Sequence, residues 1–185
     1  MDVNEIGAYL SAGADARLGV DREQIYEIGV EIYKSMKKGG KLITMGNGGS
    51  AADAQHISAE FTGRFLKERK ALPAIALNTN TSALTAIAND YSYEDVFSRQ
   101  VEALAKEGDV VIGISTSGNS KNVIKAIKAA NSMGCVTVAM IGQSGGALKG
   151  LAKFTISVKS DSTPIIQEVH IAIGHILSKI VEDMV

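Results

Sequence analysis

The chain has 185 residues, 45% hydrophobic and 21% charged, a balance ordinary for a globular protein and a length that suits one domain with a full core better than two. Nineteen Lys and Arg against 20 Asp and Glu leave a formal charge of −1, which gives no electrostatic reason to expect nucleic acid as a partner. One cysteine, Cys135, excludes an intramolecular disulfide, residues 1–5 lack the pattern of a signal peptide, and no apolar run approaches the ~20 residues of a membrane span. A cytoplasmic protein with no membrane partner is expected.

In chain order, residues 2–38 are helical in pattern, with Ile25, Ile28, Ile32 and Met36 recurring at helical spacing until Gly39-Gly40 ends the run. Lys41-Leu42-Ile43-Thr44-Met45 reads as a buried strand that enters Gly46-Asn47-Gly48-Gly49-Ser50, and an Ala-rich helix follows to about Phe65. Residues 73–77 read as a strand, and residues 81–89 and 92–105 as helices. Residues 109–114 form a continuous apolar strand of the kind covered on both faces. The strand opens into Ser115-Thr116-Ser117-Gly118-Asn119-Ser120 and then a helix to about Ser132. Strands at 136–141 and 154–158 precede a last helix, with Thr163 expected as its N-cap and Pro164 as its first residue. Strands alternating with helices predict one α/β domain over residues 1–185, a three-layer α/β/α sandwich on a mostly parallel sheet with extra N-terminal helices.

Two loops carry the chemistry. Four hydroxyl residues and a glycine between a buried strand and a helix offer hydroxyl donors, free helix N–H groups and a positive dipole end, which together suit a phosphate monoester. In the first loop, Gly48 and Gly49 allow close backbone approach, and Asn47 and Ser50 can meet sugar hydroxyls. Neither loop matches a nucleoside-triphosphate or dinucleotide fingerprint. His56 and Glu60, four residues apart on one helix face, suit a shared metal or proton transfer, and a surface pair as well. Arg64 extends that stripe by a turn, which suits an anionic ligand such as the substrate or only an ion pair. Gln167 and His175 lie eight residues apart on the last helix, ~12 Å along its axis. An irregular helix, two separate sites or two subunits would each account for that spacing.

Together these segments, with Asp53, Phe61-Thr62-Gly63-Arg64, Asn89-Asp90, Phe97-Ser98-Arg99, Ile166-Gln167-Glu168 and His170, resemble the phosphoheptose isomerases of the SIS (sugar isomerase) fold, in order and over nearly the whole chain. The resemblance implies interconversion of sedoheptulose 7-phosphate and D-glycero-D-manno-heptose 7-phosphate, in a homotetramer with active sites between subunits and one zinc ion per subunit. It implies His56, Glu60, Gln167 and His175 as zinc ligands, with Glu60 and His175 as base and acid. It implies substrate contacts at Asn47, Gly48, Gly49, Asn89, Asp90, Ser115, Thr116, Ser117, Ser120 and Gln167. The N-terminal helices are expected to serve oligomerisation. A non-catalytic relative that binds a replication initiator or senses a phosphosugar is the competing reading, and the presence of both Glu60 and His175 speaks against it.

Overall fold

A computed structural model describes residues 1–185. Five parallel strands, β1 (Leu42–Gly46), β2 (Ala74–Ala76), β3 (Val110–Ser115), β4 (Val136–Gly142) and β5 (Phe154–Val158), form one sheet in the order β2-β1-β3-β4-β5. Period-two alternation divides the central strands between two cores. Leu42, Val110, Ile112, Ile114, Val138 and Met140 face one side. Here they meet α2 (Arg22–Lys37), α3 (Gly49–Thr62) and α7 (Thr163–Met184), and α1 (Val3–Leu18) lies against α7. Ile43, Met45, Val111, Ala139 and Ile141 face the other side, beneath α4 (Thr81–Asp90), α5 (Ser98–Leu104) and α6 (Lys121–Ser132). The expected three-layer α/β/α sandwich is therefore present. No helix is long and apolar enough to cross a membrane.

The strand order makes the site. β1 leads outward to β2 while β3 leads away to β4, so the chain leaves two adjacent strands in opposite directions and opens a crevice beyond their carboxyl ends. The two Gly/Ser loops follow β1 and β3 and flank that crevice.

Local chemistry moves several boundaries from their sequence-based positions. The helical pattern of residues 2–38 is two helices, because Gly19 ends α1 and the Asp21 side chain accepts from Gln24 N at 3.0 Å to begin α2. α3 stops at Thr62, with non-helical Gly63 after it. The expected helix at 92–105 is a 3₁₀ turn, Tyr93–Asp95, followed by the short α5. Ser92 Oγ donates to Asp95 Oδ2 at 2.5 Å, a local bond that competes with helix continuation. Ser162, not Thr163, is the N-cap of α7, which shifts Pro164 to the second helical position.

His170 is fully buried on α7 and its Nε2 lies 3.3 Å from Ile141 O, while Nδ1 has no partner. Burial pushes its imidazole down to about 4, despite the opposing backbone hydrogen bond. The unfolded chain therefore binds a proton that the folded chain refuses between pH ~6.5 and ~4, so this contribution is intact above pH ~6.5 and is lost as pH falls through that window. Denaturant titrations should show the wild type losing up to about 3 kcal/mol across the window that a folded His170→Asn variant keeps. Parallel pH profiles for the two proteins would refute the assignment.

Candidate active site

Helix caps differ along the chain. Asp2, Asp21 and Asn80 side chains cap α1, α2 and α4. Gly48, Ser120 and Ser162, at the starts of α3, α6 and α7, supply no side-chain cap. No cap side chain takes the first-turn N–H groups of α3 and α7, at the end of the sheet where ligands of such folds lie, whereas in α6 the Asn122 side chain accepts from Val123 N. Gly48 turns the β1 loop at φ 56°, in the left-handed region that favours glycine. The Gln167 amide packs closely over Gly49: a Cβ there would come within 2.5 Å of Gln167 Nε2, so any side chain at this position would displace that amide.

The β3 loop presents its hydroxyls together. Ser115 Oγ lies 2.9 Å from Ser120 Oγ and 3.5 Å from Ser117 Oγ, and Asn119 N donates to Ser117 Oγ at 3.2 Å. Because Ser120 bonds to Ser115 rather than capping α6, the hydroxyl cluster and the helix start remain available to one anion. Thr116 and Ser117 also line a polar cavity of about 180 Å³ with Gln143, Ser144, Ser160 and Asp161.

Deeper along α3, His56 Nε2 lies 3.0 Å from Glu60 Oε1 and 3.4 Å from His175 Nε2. The ligating atoms of all three residues fall within 4.8 Å of one another. Parallel packing of α3 and α7 creates this meeting, and it needs Gly174, where a Cβ would strike Ile57. Phe65 stacks on the His175 ring at 5.6 Å between centroids. The geometry suits zinc: ligands ~2.0–2.1 Å from a tetrahedral ion stand ~3.3 Å apart, close to the His56–His175 separation, and two nitrogens with a carboxylate oxygen match its preferences. Asp53, one turn before His56, is half-buried with Oδ2 unpartnered, and burial pushes its carboxyl up to about 6 against the pull of His56.

Gln167 stands apart from this trio within the chain. α7 is an unbroken α-helix, which removes the irregular-helix explanation of the Gln167–His175 spacing, and the Gln167 amide packs over Gly49 beside the glycine loop. Ser50 is buried in the first turn of α3. Arg64 is exposed, 3.9 Å from Glu68. Asn89 and Asp90 are exposed at the end of α4, with Asn89 Nδ2 donating to Asp90 Oδ1 at 2.9 Å.

The sequence reading passed over three neighbours of the site. Asn122 and Tyr93 bond to Asn47, and Phe65 packs on His175. Asn122 left a trace in the sequence: it occupies the stripe of Ala126 and Ala130, a polar side chain where α6 should be apolar. Tyr93 and Phe65 left none.

The chain belongs to the SIS-domain family, whose pattern its residues 9–142 match. Within that family it is a member of the phosphoheptose isomerases. A probable phosphoheptose isomerase of Thermoplasma acidophilum is 61% identical over 175 residues, covering 95% of this chain and 96% of that one. The solved phosphoheptose isomerase of Francisella tularensis superposes with a TM-score of 0.94 at 32% identity, covering 99% of this chain and 100% of that one. The corresponding Neisseria gonorrhoeae structure gives 0.91 at 39% identity, over 97% and 98%.

Proposed function

We propose that this chain interconverts sedoheptulose 7-phosphate and D-glycero-D-manno-heptose 7-phosphate, as a cytoplasmic homotetramer with one zinc ion per subunit. The observation that carries the reading is the His56–Glu60–His175 cluster beside a crevice flanked by two phosphate-compatible loops. The hydroxyls of Ser115, Thr116, Ser117 and Ser120 and the start of α6 hold the phosphate. That remote grip orients the reacting carbons toward α3 and α7. Asn47, Gly48, Gly49, Ser50, Arg64, Asn89, Asp90 and Gln167 complete the contacts.

Aldose–ketose exchange moves a proton between adjacent carbons and another between their oxygens. Glu60 has two oxygens for two duties: Oε1 faces His56, and the second takes the carbon-bound proton and returns it to the neighbouring carbon. His175 directs Nε2 at His56 and keeps its other nitrogen for the oxygen-bound proton. Zinc held by His56, Glu60 and His175 would stabilise the developing oxyanion. Gln167 joins such a centre from another subunit, which reconciles its role as a ligand with its place on α7. Exposed Val3, Ile6 and Leu10, three and four residues apart on α1, support the use of the N-terminal helices in assembly.

An NMR time course on sedoheptulose 7-phosphate tests the reading. Conversion is expected with the purified protein, stops with chelator and returns with added zinc, and His56→Ala carries less zinc per subunit. A zinc-loaded protein that leaves the ketose unchanged would overturn the proposal, and undiminished zinc in His56→Ala would remove that ligand.

A further inference from the structure

We infer that Asn122 is a positioning residue that turns the Asn47 carboxamide so that a single N–H, and no acceptor, faces the bound sugar phosphate. The inference rests on the proposed contact between Asn47 and substrate, and the geometry supplies the rest.

Asn122 is 3% exposed on the first turn of α6, where an unpaired amide would cost stability. Its oxygen accepts from Val123 N at 2.9 Å. A backbone N–H only donates, so this contact settles which end of the Asn122 amide is oxygen. The same oxygen accepts from Asn47 Nδ2 at 2.9 Å, and Asn122 Nδ2 donates back to Asn47 Oδ1 at 2.9 Å. Tyr93 Oη donates to that same Asn47 oxygen at 3.0 Å.

A primary amide has two acceptor lone pairs and two donor hydrogens. Both lone pairs of Asn47 and one of its hydrogens are taken within the protein. The remaining N–H can meet only an acceptor: a carbonyl, hydroxyl or phosphate oxygen. The pair also crosses the crevice, joining the β1 loop to the helix after the β3 loop, so Asn122 holds the two ligand loops in one register. Without it only the Tyr93 hydroxyl holds the Asn47 amide, which loses two of its three bonds and can turn its oxygen toward an acceptor-rich ligand.

The test is a double-mutant cycle with Asn47→Ala, Asn122→Leu and both, read as kcat and KM for sedoheptulose 7-phosphate, as its Kd by calorimetry, and as melting temperature. Leu keeps the buried volume and removes the amide. Asn122→Leu is expected to raise KM and Kd about tenfold with kcat changed less than about twofold, and to add less than about twofold to KM and Kd in the Asn47→Ala background. Additive effects would overturn the inference, since a purely structural residue damages both backgrounds alike. So would unchanged KM and Kd in a folded Asn122→Leu protein. Should Asn122→Leu fail to fold, Asn122→Asp enters the same cycle: it keeps the acceptor for Val123 N, sets a second acceptor against Asn47 Oδ1, and is expected to weaken binding likewise. A wild type that binds the sugar phosphate without converting it would reject the isomerase reading and leave the cycle legible in Kd. One that neither binds nor converts it rejects both.

Discussion

Glu60→Gln is expected to fold, assemble and melt as the wild type does and to lose turnover of sedoheptulose 7-phosphate by about 10²- to 10⁴-fold, the range that a positioned general base contributes. Glutamine preserves the length and shape of the side chain and keeps one oxygen toward His56, 3.0 Å away in the native protein. What it lacks is a second basic oxygen. The loss should fall on kcat, because the phosphate grip proposed for the β3 loop lies elsewhere, and KM should change little. Zinc content measured on the same sample separates the two duties. Full zinc with lost turnover identifies the base, whereas lost zinc makes Glu60 primarily a ligand. Near-normal kcat in a folded, zinc-loaded Glu60→Gln protein would remove Glu60 from the proton transfer.

Glu182→Ala is expected to cost about 3–5 kcal/mol, the usual penalty for breaking a buried ion pair from one side. The Glu182 side chain is fully buried and lies 3.3 Å from Arg69 Nε, itself 8% exposed. It accepts from Phe65 N at 3.1 Å and Leu66 N at 2.9 Å. Arg69 in turn donates to the carbonyls of Glu60 at 2.6 Å and Phe61 at 3.0 Å. The two side chains thus clamp the segment between α3 and β2 to the end of α7. Alanine leaves the buried Arg69 guanidinium without its counter-charge and the N–H groups of Phe65 and Leu66 without their acceptor. For a chain of this size the melting temperature should fall by roughly 10 °C. Phe65, which stacks on His175, loses its tether in the same change, so activity below the melting temperature should drop as well. Glu182→Gln keeps acceptor capacity without charge and should fall between the two. A Glu182→Ala protein as stable as the wild type would show that the clamp contributes nothing.

Much of this protein could be read from its residues alone. The continuous apolar run at residues 110–114 requires a strand covered on both faces, and alternation with helices then leaves few options but a parallel sheet. Glycine and serine at the ends of β1 and β3 announced both candidate loops, because backbone conformation and hydroxyl supply are properties of the residues themselves. The spacing of His56 and Glu60 placed them on one helical face for the same reason.

What depends on distant packing was not legible. Whether His175 meets His56 is decided by α7 lying parallel to α3, with Gly174 admitting Ile57, and no local pattern reports a helix–helix register. The Asn47–Asn122 bridge spans 75 positions and exists only because β1 and β3 are neighbours in the sheet. The Arg69–Glu182 clamp spans most of the chain and looks, in sequence, like two ordinary surface charges. The sequence by itself determined the elements, the loops and the kinds of atoms available for chemistry, since each follows from local backbone and side-chain preferences. Tertiary structure alone decided which of those atoms face one another, because strand order and helix register arise from burial summed over the whole molecule.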